Sequence, residues 1–207
     1  MLKSSRKIIQ GRYVMSKTIE YSFNGYVATV ITPDKPNGKW IWKTEFLYAF
    51  DKAEQALVED GYTRVNYKIS DMYGSYNAVR LMHAFHLDLL TRFPLCKKAN
   101  LFGFSRGGLY AFNYSLFYPE YVDKVYLDAP VLDLASWPWE DSPEQAGMLE
   151  EYCLTKDTLK KFRGSPVYNF KEFFSNELPL LVVAGGSDEA LASAANFLLE
   201  NLIDVKA

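Results

Sequence analysis

The feature that most constrains this chain is Gly103-Phe104-Ser105-Arg106-Gly107-Gly108, set between an apolar stretch, Lys98 to Phe102, and a helical one, Arg106 to Tyr118. A strand that turns abruptly into a helix forces its corner residue into strained backbone angles and presents that side chain at the C-terminal edge of a sheet. Gly103 and Gly107 flank the corner because the two backbones pass too close there for a Cβ. Ser105 then stands at a helix N-terminus, where unpaired N–H groups and the helix dipole favour negative charge. The Arg106 amide is the expected first donor to an oxyanion. A G-x-S-x-G run also occurs in glycine-rich turns, but the strand before it, the helix after it and Gly108 favour the strained corner.

The surrounding pattern supplies a sheet for that corner. Thr18 to Phe23 alternates Ile19, Tyr21 and Phe23 with polar residues, and Tyr26 to Thr32 is a second strand. Asn24-Gly25 between them predicts a hairpin, since both turn positions require positive φ. Strands and helices then alternate. Lys39 to Trp42 is a short strand, Phe46, Phe50, Ala53 and Leu57 give a helical face ending at Gly61, and Arg64 to Ile69 is a strand. After a loop at Asp71 to Tyr76, the residues Val79, Met82, Phe85, Leu89 and Phe93 line a helix stopped by Pro94. Val122 to Leu127 and Leu178 to Ala184 are strands, and Ala190 to Leu202 is a closing helix with Leu191, Ala195, Leu198 and Leu202 on one side. The expected class is α/β, a mostly parallel twisted sheet with helices on both faces behind an N-terminal antiparallel hairpin. One strand fits poorly. Arg64, Asn66 and Lys68 alternate where a central parallel strand would be continuously apolar, so that face is expected to be solvated or incompletely covered.

Composition removes several alternatives. Hydrophobic residues at 49% and charged residues at 23% belong to a globular chain rather than a disordered or membrane one. A net charge of -2 gives no electrostatic ground for a nucleic-acid partner, and no apolar run approaches membrane-spanning length. Cys96 and Cys153 lack metal-ligand spacing and read as two free thiols, buried or half-buried, which together with the basic, mixed N-terminus places the chain in the cytoplasm. Neither a metal nor another cofactor is expected. The first sixteen residues read as a flexible extension and 17–207 as one domain.

From Lys17 to Asp188 the chain resembles the α/β-hydrolase superfamily, most closely an esterase- or peptidase-like bacterial branch. The residues that carry the likeness are Trp40-Ile41-Trp42-Lys43-Thr44-Glu45-Phe46, Ser70-Asp71-Met72-Tyr73-Gly74-Ser75, the Gly103–Gly108 corner and Asp128-Ala129-Pro130. The resemblance implies a serine hydrolase acting on an ester-like small molecule, with Ser105 as nucleophile and a second oxyanion N–H from Trp42 or Lys43. It also implies the order nucleophile, acid, histidine along the chain. Asp188, 83 residues after Ser105 (188 − 105) and just past the Leu178–Ala184 strand, takes the acid position, and it also suits a helix N-cap. Asp128 is the reserve acid.

No histidine follows Asp188 in the remaining 19 residues (207 − 188). The final strand, histidine loop and helix implied by the resemblance are missing, so the fold is expected to be C-terminally incomplete, with an exposed sheet edge open to self-association. His83 and His86 both precede the serine and read as helix-surface or interface residues. Three explanations compete, in this order: a shortened or frameshifted product, a pseudoenzyme or binding protein that keeps the pocket, and a histidine donated by a partner chain. The stretch 130–176 is too long for a plain connection and reads as a small helical lid. Within it Ser142 is an N-cap, Pro143 N1 and Gln145 N3, and Trp137, Trp139, Tyr168, Phe170, Phe173 and Phe174 supply aromatic weight. Glu45, Tyr73 and Trp137 are the candidate pocket residues.

Overall fold

A computed structural model describes residues 2–9 and 12–183. The expected closing helix at Ala190 to Leu202 lies outside the described residues. Strands β1 (Leu2–Ile9), β2 (Arg12–Phe23) and β3 (Tyr26–Pro33) form an antiparallel meander, so the segment expected to be a flexible extension is instead paired, Leu2 opposite Ile19 and Ile9 opposite Arg12. The predicted hairpin is present: Phe23 faces Tyr26, and Asn24 and Gly25 take φ of 47° and 86°.

Strands β4 (Trp40–Lys43), β5 (Thr63–Tyr67), β6 (Ala99–Phe104), β7 (Val122–Asp128) and β8 (Leu180–Val183) complete one sheet in the order β1-β2-β3-β5-β4-β6-β7-β8, parallel from β5 to β8. Helix α1 (Lys52–Glu59) follows β4, α2 (Tyr76–Arg92) follows β5 and α3 (Gly107–Phe117) follows β6. The 3.6-residue periodicity of α2 buries Val79, Met82, Phe85, His86 and Leu89, as the apolar spacing predicts. One sheet face carries the aromatic core, in which Trp40 and Trp42 stack at 5.8 Å and Trp42 meets Phe85 and Tyr114.

On the opposite face Arg64 and Asn66 are polar and still buried, which corrects the expectation that it is solvated or uncovered there, whereas Lys68, past the end of β5, is exposed. Arg64 and Asn66 are 2% and 8% exposed. Burying such groups costs several kcal/mol unless they are paired. Arg64 Nη1 donates to Asp51 Oδ2 at 2.8 Å, Asn66 Nδ2 donates to the Lys43 carbonyl at 2.8 Å, and the Lys43 ammonium pairs with Glu54. Helix α1 supplies Glu54 to this layer, so it turns Glu54 and Val58 inward rather than the predicted Ala53 and Leu57. Phe46 and Phe50 are not in it. Both have left-handed backbones and pack on Phe104 at 5.6 and 5.1 Å, using their apolar surface against β6 instead of along a helix.

The connection between β7 and β8 holds α4 (Pro143–Glu151), α5 (Lys156–Leu159) and α6 (Phe170–Ser175). Ser142 caps α4 by accepting from the Gln145 amide, with Pro143 in the first turn, as predicted. Phe170 and Phe173 pack on Phe112 of α3, which anchors this insert to the sheet's helical layer. Cys96 and Cys153 are free but exposed, not buried: each lies just beyond the end of a helix. Among the described residues no helix is long and apolar enough to cross a membrane.

Candidate active site

Ser105 sits between the last residue of β6 and the start of α3 with φ of 53°. A non-glycine residue held there costs on the order of 1–3 kcal/mol and persists only where its surroundings enforce it. Three hydrogen bonds do so: the Ser105 amide donates to the Asp128 carbonyl at 3.0 Å, and the Ser105 carbonyl accepts from Val131 and Gly108 at 2.9 Å each. The glycines are required by space. A Cβ on Gly103 would lie 2.9 Å from the Gly107 carbonyl oxygen, and one on Gly108 would lie 2.6 Å from Pro130 Cβ. The strained corner expected from the sequence is therefore present in full.

The amide of Arg106, at the N-cap of α3, stands before the helix ladder and points out of it unpaired, as the first amides of any helix do. The second donor expected from Trp42 or Lys43 requires correction. Both lie inside β4 between β5 and β6, so their amides belong to the sheet ladder, and the Thr44 amide extends that ladder to the Phe102 carbonyl at 3.0 Å. Trp42 is instead a core residue at 1% exposure, and Lys43 is the buried partner of Glu54. The first amides past the ladder are those of Glu45 and Phe46, and the Glu45 nitrogen is 3.4 Å from the Cβ position of Gly107.

Glu45 lies in the same loop and is buried at 3% exposure. Its Oε2 accepts from Ser70 Oγ at 3.0 Å and from Arg106 Nε and Nη2 at 3.3 Å, while Oε1 is buried without a partner. Burial pushes its pKa up, opposed by the Arg106 charge and the Ser70 hydroxyl. The Arg106 guanidinium also lies over the Phe46 ring at 5.1 Å. Thr44, which sequence reasoning passed over, donates its hydroxyl to the Gly107 carbonyl at 2.8 Å. The only sign of it in the sequence is a hydroxyl residue one position beyond the end of a strand at the same sheet edge.

Tyr73 is buried beneath the insert, with its ring 6.2 Å from that of Trp137 and its hydroxyl against Gly147. The expected pocket residues Tyr73 and Trp137 thus meet each other, while Trp139 and Tyr168 are exposed. Asp128 accepts from Tyr126 at 3.3 Å, and Asp188 lies outside the described residues.

His86 is fully buried, not on the helix surface as expected, and His83 is half-buried beside α3. His86 Nε2 donates to the Lys97 carbonyl at 2.7 Å and Nδ1 accepts from Tyr114 Oη at 2.8 Å, while His83 stacks on Tyr118 at 3.8 Å. Tyr114 is nine residues past Ser105 (114 − 105), about 13 Å along a helix. Among the described residues Ser105 Oγ has no hydrogen-bond partner, and no group of His, Cys, Asp and Glu is placed to hold a metal.

No family model matches the sequence, and no curated protein is found similar to it. Solved structures do match. The S-formylglutathione hydrolase FrmB of Staphylococcus aureus superposes with a TM-score of 0.68 at 16% identity, over 94% of this chain and 88% of that one. The chain has the α/β-hydrolase fold. FphF, a fluorophosphonate-binding serine hydrolase of Staphylococcus aureus, matches with a TM-score of 0.64 at 15% identity over 99% and 86% of the two chains. An S-formylglutathione hydrolase from Agrobacterium tumefaciens matches at 0.59 and 13% identity over 96% of each. In this α/β-hydrolase fold Ser105 holds the strand-to-helix corner, and 130–176 is the insert between the last two described strands.

Proposed function

We propose that the chain is a serine hydrolase of carboxylic esters or related acyl bonds, with Ser105 as nucleophile. The observation that carries this reading is the positive φ of Ser105 on a glycine-flanked corner, the strained strand-to-helix geometry that presents a side chain at a sheet edge. The names of the matched structures support the same class of bond. Ser105 Oγ attacks the acyl carbon and passes its proton to a base. The oxyanion is held by the Arg106 amide and by that of Glu45 or Phe46. The leaving group departs with a proton, and water then releases the acyl group. Asp188 is the proposed carboxylate that orients the base.

Neither histidine of the sequence is placed to be that base: His86 is held between the Lys97 carbonyl and Tyr114, and His83 stacks on Tyr118. Without it, turnover falls on the order of 10⁴–10⁶-fold. A second reading, in which the same pocket and lid bind a small molecule without cleaving it, is favoured by His86 being held by the Lys97 carbonyl and Tyr114. β8 ends the sheet among the described residues with Leu181 and Val183 exposed, which supports self-association along that edge.

Covalent labelling by a fluorophosphonate probe, with Ser105→Ala as control, separates the readings. Labelling that disappears in the variant is expected if a base reaches Ser105. A folded protein that never labels would leave the binding role.

A further inference from the structure

A cleft of about 440 Å³ opens between the start of α2, the last turns of α3 and the insert. It is separate from the serine corner: Asn113 on its wall is eight residues past Ser105 (113 − 105), about 12 Å along a helix. The volume is that of a small-molecule site.

The hydrogen-bond pattern of the wall is one-sided. Asn113 is 6% exposed and donates Nδ2 to the Gly74 carbonyl at 2.8 Å, so its amide orientation is fixed with the oxygen left over. Asn169 likewise donates Nδ2 to the Ser165 carbonyl at 3.0 Å. Ser75 Oγ donates to Glu151 at 2.5 Å, and Tyr152 Oη donates to the Tyr73 carbonyl at 3.0 Å. The buried and half-buried donors of this wall are thereby engaged elsewhere. Besides the exposed Asn77 amide and Tyr76 hydroxyl, what remains facing the cleft is acceptor: two amide oxygens and the carboxylates of Glu151 and Glu172. No lysine or arginine lines it, and Arg80 sits instead over the Tyr76 ring at 5.9 Å. The rest of the lining is apolar. Tyr76 and Phe117 meet edge to face at 5.5 Å and are 59% and 50% exposed, an aromatic pair left open on the cleft side.

An amide oxygen left facing the cleft accepts a donor, two carboxylates call for positive charge, and aromatic faces accept both cations and flat apolar groups. We infer that this cleft binds a primary ammonium carried on an apolar body about the size of one aryl ring. The three N–H groups meet the Asn113 oxygen and the two glutamates, and the ring lies along Tyr76 and Phe117. This reading does not depend on the chemistry at Ser105.

Titration calorimetry of the full chain with phenethylammonium tests it, using 2-phenylethanol as the neutral partner and phenethyltrimethylammonium as the cation without N–H. The expected result is one site at which the primary ammonium binds at least about tenfold tighter than the alcohol and tighter than the quaternary ion. Glu172→Gln and Phe117→Ala alter exposed side chains and should each weaken binding severalfold with unchanged circular dichroism. Equal binding of the alcohol, tighter binding of the quaternary ion, indifference to both substitutions, or no binding at millimolar ligand would each overturn the inference.

Discussion

Thr44 Oγ1 donates to the Gly107 carbonyl at 2.8 Å and also lies 3.2 Å from the Phe102 carbonyl, so one hydroxyl joins the end of β4 to both arms of the serine corner. The contact is buried, with Thr44 at 2% exposure. Thr44→Val keeps the shape and removes the donor, while the Phe102 carbonyl keeps the Thr44 amide and the Gly107 carbonyl keeps its place in the α3 ladder. The expected loss is about 0.5–1.5 kcal/mol in urea unfolding, and Thr44→Ser should lose much less. Equal losses in the two variants would mean that the methyl group, not the hydroxyl, holds the corner.

Gly108 faces Pro130, where an added Cβ would approach to 2.6 Å. Neither neighbour can yield freely, because the Val131 amide is bonded to the Ser105 carbonyl. Gly108→Ala is expected to cost roughly 1–3 kcal/mol and lower Tm by several degrees. An unchanged Tm would show that the segment after β7 is free to shift.

The parts of this fold that were legible in the sequence obey local rules. Asn24-Gly25 dictates its turn, the five apolar residues from Val79 to Phe93 dictate a helix, Ser142 dictates a cap, and the spacing of Gly103, Ser105 and Gly107 dictates the corner. The parts that were not legible depend on partners distant in sequence. Arg64 looked exposed because Asp51 and its loop are brought to it only by folding, and Phe46 and Phe50 imitate a helical spacing while packing on Phe104. The amides of Trp42 and Lys43, expected to hold an oxyanion, stay inside the sheet because pairing with Phe102 carries the β4 ladder one residue further than the apolar run suggests.

His86 should make the fold acid-sensitive. It is fully buried, and burial holds its pKa down at about 4 against 6.5 for a free histidine, while its ring bridges the Lys97 carbonyl and Tyr114. The unfolded chain therefore binds a proton that the folded chain refuses between those two values, and stability falls as pH drops from 6.5 to about 4. The stake is about 3 kcal/mol. His86→Gln, which cannot titrate, should flatten the pH dependence of the urea midpoint in that window. A slope unchanged by the substitution would assign it to carboxylates instead.

The Lys43–Glu54 pair sets a sharper test of how the polar sheet face is held. Both side chains are 3% exposed, and the Lys43 ammonium also donates to the Ala49 carbonyl at 2.7 Å. Removing one partner strands a buried charge, so Lys43→Met should cost about 3–5 kcal/mol. Removing both leaves a methionine and a leucine in a space already bordered by Phe50, Phe102 and Phe104. The double variant Lys43→Met/Glu54→Leu should therefore recover most of the loss, because two desolvated charges are exchanged for apolar packing. Chemical denaturation of the two single variants and the double variant closes the cycle. Additive losses would mean that the two charges are stabilised separately by their other partners and that the pair is incidental to the fold.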